Sequence, residues 1–415
     1  MAGFGLACCY GGLAWLSRIE PGPDLLRFGG LMALAFAFYA WAYFSGRREP
    51  AIGAGTVMFW AIVFRVIGFW GEPLFEDDFY RYLWDGYRFS VDGTPYGHAP
   101  EAHFPDASVP PRFQAILSRI NHPNIPTIYG PTFEYVFRLA HGIAPGQLWA
   151  LKLLLIGADG LLVGLLLRLA GPQNALLYAW NPLVIKEIAF TAHPDGLLPL
   201  LVLGAWWLGS HGRRLGAGTF LALAVAAKAS AWLAVPFLLL GFGGAGAAAF
   251  AASFSLLYLP FWLHGATDAT GLQVFARDFE FNSALYGLAN AWLPHGWGKL
   301  LLGAGLLAAG SFYFFQYRRQ AGPKELPRGD WLFGGLLIVS PVINPWYLLW
   351  LLPFASIYPS RTAWVASAAV LLAYATGLNL DDATLTPYGH PRWVRPLEFG
   401  LIGLALLADV SATRR

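Results

Sequence analysis

The amino-acid sequence predicts an all-α polytopic membrane protein. Of its 415 residues, 57% are hydrophobic and only 12% are charged, which is unlike a soluble globular domain. Apolar runs recur along the whole chain, each bounded by glycine, proline or charged residues. Only helices and closed barrels satisfy the backbone in lipid, and these runs lack the alternation typical of barrel strands. We therefore expect a bundle of membrane helices.

Fourteen apolar segments are candidate spans, and we expect about 12–14 transmembrane or half-helices. In chain order the segments are 2–17, 28–45, 51–70, 146–170, 173–191, 195–209, 216–228, 230–242, 244–264, 299–317, 331–343, 346–358, 362–378 and 395–411. The segment 216–228 would extend only about 20 Å as a helix, against a hydrocarbon core of roughly 30 Å. Short segments of this kind are expected to be half-helices whose ends are covered by protein.

Basic clusters predict the orientation of the chain. They are Arg47 with Arg48, Arg213 with Arg214, Arg318, Arg319, Lys324 and Arg328, then Arg361, and finally Arg414 with Arg415. All fall on one side of the predicted crossings, which is cytoplasmic because basic loops concentrate there. The loops 71–145, 265–298 and 379–394 are then extracytoplasmic. We predict one catalytic domain over residues 1–415 in a bacterial inner membrane, with an outward-facing active site in which 71–145 is the catalytic loop.

Several function classes receive no support from the sequence. The net charge is only +3, so we expect no nucleic-acid partner. Cys8 and Cys9 are adjacent, and no Cys/His spacing resembles a disulfide framework or a metal site. The chain lacks a glycine-rich phosphate loop and a Rossmann fingerprint, so a nucleotide-sugar donor has no visible site. Residues 1–17 lack a basic leader region, and we expect an uncleaved first span.

The acidic start of the loop 71–145 is the leading candidate site. Glu76, Asp77 and Asp78 follow an apolar run directly, and carboxylates near hydrocarbon are costly unless they are solvated, paired or used. In one interpretation Asp77 or Asp78 faces a cavity and accepts a proton from a sugar hydroxyl. Arg81, one turn further, would then hold a carboxylate or a substrate phosphate.

The other interpretation is a charged amphipathic helix that lies on the membrane surface. Asp77, Arg81, Asp85 and Arg88 have the i, i+4, i+8 and i+11 spacing of one helix face. Ion pairs along such an exposed face would stabilise the helix only weakly. Both interpretations predict a helix in this part of the loop.

Polar residues inside or beside the later spans are further candidates. Lys186 and Glu187 are adjacent, so they need not pair. His193 and Asp195 follow at the outer boundary, either as solvated residues or as part of a site. Lys228 lies between two short apolar runs, where it can extend to the membrane surface or face a phosphate between half-helices.

Two outer segments carry aromatic residues. Asn344 with Pro345 interrupts an apolar run and would bring Trp346 and Tyr347 either to a sugar or to the interfacial belt. In the loop 265–298, Asn282 and Ser283 are candidate caps for an aromatic helix, which would form a lid or lie at the interface.

Four blocks of sequence resemble C-type (GT-C) glycosyltransferases, most closely the bacterial polyprenol-phosphate-mannose-dependent mannosyltransferases of glycosyltransferase family 87 and its relatives. The first block matches at Asp77, Asp78, Tyr80, Arg81, Tyr82, Trp84, Asp85, Gly86, Thr94, Pro95, Tyr96, Ala99 and Pro100. The others match at Pro126, Thr127, Ile128, Tyr129 and Pro131, at Trp180, Pro182, Glu187, His193 and Asp195, and at Ser340, Pro341, Pro345, Trp346 and Tyr347. Gly130 and Glu134 depart from the family pattern, which has proline and commonly glutamine there.

The resemblance implies a GT-C-like helical bundle that transfers a hexose from a polyprenyl-phosphate sugar to a glycan or glycolipid acceptor. The hexose that it implies is mannose. The hypothesis is an inverting reaction with Asp77 or Asp78 as the base. The predicted substrate-binding residues are Arg81, Tyr82, Tyr129, Glu187, His193, Asp195, Lys228, Trp346 and Tyr347. The resemblance implies that no cofactor or metal is required, although the acidic cluster would permit a divalent cation.

A membrane transporter or flippase for a polyprenyl-linked or small polar substrate is the alternative. Lys186, Glu187 and Lys228 within broken helices suit an ion-coupled carrier. The spacing of the helix breaks shows no inverted repeat, which weakens this interpretation. A ligase that attaches a whole lipid-linked glycan is a second enzymatic possibility. The sugar, the acceptor and the linkage stay open at this point.

Overall fold

The computed structural model describes residues 1–19, 24–46, 52–294, 296–320 and 325–413, and it is helical throughout. The helices are α1 (Ala2–Leu16), α2 (Leu25–Gly46), α3 (Ala54–Trp70), α4 (Asp78–Asp92), α5 (Pro111–Leu117), α6 (Pro131–Ile143), α7 (Leu148–Leu169), α8 (Gly171–Ala179), α9 (Pro182–Val184), α10 (Leu197–Ser210), α11 (Arg214–Ala227), α12 (Val235–Leu263), α13 (Ala269–Asp278), α14 (Leu285–Trp292), α15 (Trp297–Gln320), α16 (Gly329–Val339), α17 (Leu352–Ile357), α18 (Arg361–Ala369), α19 (Gly377–Leu380) and α20 (Val394–Thr413). Among the described residues, β pairing is limited to one isolated bridge between Phe281 and Val342. The predicted all-α polytopic membrane class is confirmed.

The bundle combines long apolar helices with shorter ones. Each of the fourteen predicted segments contains helix. Within the described ranges, α2, α7, α12 and α15 are each long and apolar enough to cross a membrane. Helices α1, α3, α11, α16 and the α18 region are apolar but shorter. Helix α12 joins two predicted segments through a kink at Gly243, whose φ of 64° is a left-handed conformation that glycine adopts readily.

The predicted orientation can be followed only in part. Arg47, Arg48, Lys324, Arg414 and Arg415 lie outside the described residues. The remaining clusters lie at the ends of helices: Arg213 and Arg214 between α10 and α11, Arg318 and Arg319 at the end of α15, and Arg361 at the start of α18.

A sharply bent pair of helices forms the centre of the bundle. Asn181 accepts a hydrogen bond from the Leu183 amide (3.0 Å) and so caps the start of α9. The chain continues as a π-helix over Ile185–Phe190, and the following arm is bent away from it by 115°. Every residue from Ala175 to Gly196 is buried. A break at this depth is tolerated because protein surrounds the exposed backbone groups.

An ion pair inside the bundle joins three helices. Asp159 on α7 accepts hydrogen bonds from Arg65 on α3 (2.5 Å) and from Tyr178 on α8 (2.5 Å). Arg65 also donates to the carbonyl oxygens of Ala61 and Ala179 at 3.0 and 2.9 Å. Only 3% and 2% of the two charged side chains are exposed. Both charges are thus compensated by protein groups, as burial requires.

The end of α3 is fixed by a second buried cation. Lys152 on α7 donates to the carbonyl oxygens of Gly68 (3.2 Å) and Gly71 (2.5 Å). The Gly71 carbonyl lies just past the last residue of α3, and a cation near a helix C-terminus is favourable. Lys152 therefore fixes the point from which the loop 71–145 leaves the membrane bundle.

Replacing Asp159 with Asn should lower the free energy of unfolding by about 3–5 kcal/mol, because Arg65 would stay buried without a counterion. The thermal stability of the purified protein in detergent measures this loss. Asp24→Asn is the control: half of the Asp24 side chain is exposed where it meets Arg27, and the change should stay below about 1 kcal/mol. Equal stability of Asp159→Asn and wild type would contradict the assigned role.

Candidate active site

A cavity of about 580 Å³ opens between the three predicted outer loops. Its lining comes from 75–81, 121–129, 275–281, 342–347 and 373–388, together with Lys228. Seven of the predicted site residues line it: Asp77, Asp78, Arg81, Tyr129, Lys228, Trp346 and Tyr347. The four blocks of sequence that resemble one family therefore converge on one cavity or on its wall.

The acidic cluster forms one side of the cavity. Asp77 is the N-cap residue of α4, and Asp78 is the first residue of that helix, where the helix dipole favours a negative charge. Burial and the neighbouring Asp78 carboxylate raise the pKa of Asp77 to about 6. Burial also raises the pKa of Asp78, against the opposing effect of His193 and Lys228. Glu76 is more strongly affected, since burial raises its pKa well above the usual range.

Helix α4 packs against the rest of the loop, and residues from Tyr82 to Phe89 are largely buried. The Arg81 guanidinium donates to both Asp85 oxygens at 3.0 Å and to the Ile125 carbonyl oxygen at 3.0 Å. Only 12% of the Arg81 side chain and 2% of the Asp85 side chain are exposed. Arg81 thus holds the segment 125–129 against α4, and much of its donor capacity is used by the protein.

Tyr82 supports the cavity wall from behind. Its ring stacks on Phe137 of α6, with centroids 4.8 Å apart, and meets the edge of Tyr129 at 5.1 Å. Tyr129 lines the cavity, whereas Tyr82 does not. Tyr82 therefore contributes by placing Tyr129.

A buried polar network lies directly behind the acidic cluster. His193 Nδ1 lies 3.0 Å from a Glu187 oxygen, and His193 Nε2 lies 3.9 Å from Asp78 Oδ2. The other Glu187 oxygen accepts a hydrogen bond from Tyr374 at 2.6 Å. Lys186 Nζ is 3.2 Å from Glu187 and also donates to Tyr374. The two neighbours do pair, because the long lysine side chain folds back inside the π-helical turn.

Lys228 faces the cavity as the end of a broken helix. It follows α11 and precedes a short 3₁₀ helix, Ala229–Leu233. Its ammonium donates to Asp195 at 2.7 Å and lies over the rings of Tyr347 (4.4 Å) and Trp350 (4.8 Å). An ammonium carries three donors, so this lysine has further donors to offer in the cavity that it lines.

Asp195 is the buried counterion of this cation. It accepts from Lys228 and, at 2.7 Å, from the Trp350 indole nitrogen. Asp195, Glu187 and His193 do not line the cavity. They lie behind it, and His193 stacks on Trp346 with ring centroids 4.0 Å apart. Their predicted direct contact with substrate stays a prediction.

The upper part of the cavity was not predicted. Tyr388 donates to Asn121 at 2.9 Å, and the His122 ring lies 5.0 Å from Phe279. These contacts join the three outer loops over the acidic cluster. No local motif marks these residues in the sequence, because each contact joins loops far apart in the chain.

The predicted caps of an aromatic helix in the second outer loop are wrong. Helix α14 begins at Leu285, after Asn282 and Ser283, and has no side-chain cap. Asn282 instead donates to Glu398 on α20 at 2.9 Å, and Ser283 donates to Glu280 at 2.8 Å. Both side chains tie the cavity-lining segment to its neighbours.

Comparison with known proteins relates this cavity to one enzyme family. Residues 10–243, more than half of the chain, match the family described as "Alpha-(1->6)-mannopyranosyltransferase, N-terminal domain". The chain belongs to this mannosyltransferase family. It is 25% identical to Alpha-(1->6)-mannopyranosyltransferase A of Mycobacterium tuberculosis, over 82% of this chain and 71% of the relative. No solved structure matches the chain.

The family match includes the acidic loop, the buried network and Lys228. The predicted resemblance to membrane mannosyltransferases is thereby confirmed, and an enzyme is favoured over a transporter. The family match ends at residue 243 and so does not include Trp346 and Tyr347. The alignment with the mycobacterial relative covers 82% of the present chain.

Lys228→Met should lower mannosyl transfer by about a hundredfold or more, because a fixed cation is lost from the cavity and Asp195 stays buried without its counterion. Lys228→Arg keeps the charge and should retain much more activity. The rate is measured with detergent-purified variants that elute as the wild type on gel filtration. Unchanged transfer by Lys228→Met would remove this cation from the active site.

Proposed function

We propose that this mannosyltransferase moves a mannosyl group from a polyprenyl-phosphate donor to a hydroxyl of a glycan or glycolipid acceptor. The observation that carries the proposal is the meeting of the acidic pair Asp77 and Asp78 with the Lys228 ammonium in one cavity of a membrane bundle. A lipid-linked donor suits a chain whose mass lies almost entirely in the membrane. Mannose as the sugar is supported by the family and by the name of the relative.

Asp77 is the base of the proposed reaction. A base works best when its pKa is near the working pH, and the pKa of Asp77 is raised to about 6. His193, Lys228 and Arg81 all act on the charge of Asp78, whereas Asp77 responds chiefly to burial and to Asp78. Asp78 thus lies with the cations, and Asp77 is free to accept a proton.

The donor, the acceptor and the side chains account for every bond and proton of the proposed reaction. The acceptor oxygen forms a bond to the anomeric carbon, the bond from that carbon to the phosphate oxygen breaks, and the acceptor proton passes to Asp77. Polyprenyl phosphate departs with the bonding electron pair. Such a phosphate needs cationic stabilisation more than a general acid, and Lys228, which lines the cavity, supplies it. No cofactor takes part in this scheme.

An inverting reaction is part of the proposal. In a single in-line displacement the base and the leaving group lie on opposite sides of the anomeric carbon. Asp77 and Lys228 line the same cavity and would act on these two groups. The relative's name specifies an α-linkage, and an inverting enzyme that makes an α-linkage must use a β-linked donor.

Aromatic side chains bind the sugar between these groups. Tyr129, Trp346 and Tyr347 line the cavity, and each combines an apolar ring face with a polar edge. The hydroxyl-rich edge of a hexose would meet the acidic cluster, and its C–H face would meet the rings. Direct sugar contact is therefore assigned to these three residues.

The active site faces outward in the proposed orientation. Residues of the loops 71–145, 265–298 and 379–394 line the cavity, and the predicted crossings put the basic clusters near Arg213, Arg318 and Arg361 on the other side of the membrane. By the positive-inside tendency, the acceptor is reached from the extracytoplasmic side of a bacterial inner membrane. The whole chain acts as one catalytic domain in this proposal.

Asp77→Asn should lower transfer from polyprenyl-phosphate-mannose by about 10²–10⁴-fold, the range that a lost general base accounts for. Asp78→Asn should mainly weaken donor binding, because the cations around it lose their anionic partner. The assay follows mannose transfer by mass spectrometry, with and without EDTA, which should change nothing.

Asp106→Asn is the control for both variants. It lies in the same loop but does not line the cavity, and an asparagine can still accept from Ser108, as Asp106 does. Wild-type turnover by Asp77→Asn and Asp78→Asn alike would refute the base assignment.

The pH dependence of kcat/KM should rise and level off near pH 6, since Asp77 must be ionised to accept a proton and its pKa is about 6. Below that pH the rate should fall about tenfold per pH unit. The profile is measured over the range in which the protein stays folded. A rate that does not fall between pH 6 and pH 5 would exclude Asp77 as the base.

A further inference from the structure

Two carboxyl groups are buried under the cavity wall, and the mechanism uses neither. Asp85 on α4 is 2% exposed, and Glu134 on α6 is fully buried. The segment 125–129 lies over them and lines the cavity with Ile125, Pro126, Ile128 and Tyr129. Whatever holds this segment also sets the position of the cavity wall.

Thr127 connects the segment to Glu134. Its Oγ1 lies 3.0 Å from Glu134 Oε1. The backbone amide of Tyr129 donates to the same Thr127 oxygen at 3.3 Å. Because a hydroxyl can both donate and accept a hydrogen bond, Thr127 can pair with the neutral form of Glu134.

Asp85 has a cation partner, whereas Glu134 has none. The Nε–H of Arg81 is shared by both Asp85 oxygens at 3.0 Å, and such a charge-assisted contact stabilises a carboxylate. Glu134 has no ion pair among the described residues, and its Oε2 has no hydrogen-bond partner there. A buried carboxyl group without a cation is favoured in its neutral form. Burial and the lack of a cation therefore assign a proton to Glu134.

The carboxylates near Glu134 also favour its neutral form. Asp268 of the second outer loop adds a third carboxylate, and Tyr96 is a further titratable group. Arg81 acts in the opposite direction and favours the ionised form. Burial first, and then the Asp85 charge, raise the pKa of Glu134 well above its usual range. The electrostatics thus agree with the geometry.

We propose that Glu134 is a positioning residue that stays a neutral acid and, through its hydrogen bond with Thr127, holds the segment 125–129 in the cavity wall. Arg81, which pairs with Asp85, holds the same segment through the Ile125 carbonyl oxygen. The segment is thus fastened at two points, Ile125 and Thr127.

Neighbouring elements leave this segment little room to shift. A Cβ at Gly130 would collide with the carbonyl oxygen of Ala226, two residues before Lys228. A Cβ at Gly271 would collide in the same way with the carbonyl oxygen of Thr127. A second negative charge beneath Thr127 would therefore disturb Tyr129 on one side and the Lys228 region on the other.

The sign of the pH effect follows from the raised pKa. Glu134 keeps its proton in the native state, whereas in the unfolded chain it ionises at its ordinary pKa. Between these two values the native state binds more protons, so native stability falls as the pH rises. Glutamine has the shape of the neutral acid and no proton to lose.

The test compares wild type with Glu134→Gln, and uses Glu101→Gln, an exposed glutamate of the same loop, as the matched control. Thermal stability in detergent and mannosyl transfer are each measured from roughly pH 6 to pH 10, the region where linkage of a raised carboxyl pKa acts. Glu134→Gln should be the more stable protein, by a margin that widens with pH, and its transfer at neutral pH should stay within about twofold of wild type. Glu101→Gln should follow wild type in both measurements.

Two variants of Thr127 test the positioning role. Thr127→Val removes the hydroxyl at similar volume and should lower transfer by about tenfold, mainly through KM, because an unsatisfied buried group displaces the cavity wall. Thr127→Ser keeps the hydroxyl and should restore most of the activity. Failure of Thr127→Val to fold would leave the decision to the glutamine comparison.

The proposal is overturned if Glu134→Gln and wild type lose stability in parallel as the pH rises, or if Glu134→Gln loses transfer at neutral pH as Thr127→Val does. Only the transfer readout rests on the proposed function. Absence of transfer from polyprenyl-phosphate-mannose by the wild type would count against that function, while the stability comparison would still decide the role of Glu134.

Discussion

The charged residues of the site are paired with buried counterions and hydrogen-bond donors, and the rest of the architecture depends on this pairing. An ion removed from water is tolerated when opposite charges and hydrogen bonds replace its hydration. Asp195 does this for Lys228, with the Trp350 indole as a second donor. Glu187 does the same for Lys186 and also forms a hydrogen bond with His193. All these partners belong to the bent segment at the centre of the bundle or pack against it.

The bend is therefore the structural feature that makes a polar site possible inside an apolar protein. A continuous helix over 182–210 would spread its polar residues along a rod. The 115° bend instead brings Glu187, His193 and Asp195 to one wall, behind Asp78 and Lys228. The broken backbone at this point is covered on all sides, since Ala175–Gly196 is buried throughout.

Local pattern was enough to predict the fold class and the acidic side of the cavity. Apolar runs indicate membrane helices directly, and the spacing of Arg81 and Asp85 is that of a helix. Arg65 and Asp159 could not be paired from sequence, because each is a single charge inside an apolar run and 94 residues separate them. The same holds for Tyr374 and Tyr388, whose role depends on which loops meet over the cavity. Partners far apart in the chain follow from packing, and no local periodicity encodes packing.

The deviations of this chain from its family pattern become intelligible in the same physical terms. At Gly130 the carbonyl oxygen of Ala226 occupies the space that a side chain would need, so the close approach of α11 to the loop explains the glycine. That approach places Lys228, at the end of α11, within reach of the cavity. At Glu134 a fully buried carboxyl group without a cation partner pairs with Thr127, and burial favours its neutral form. One departure thus lets the cation come close, and the other ties the cavity wall to a protonation state.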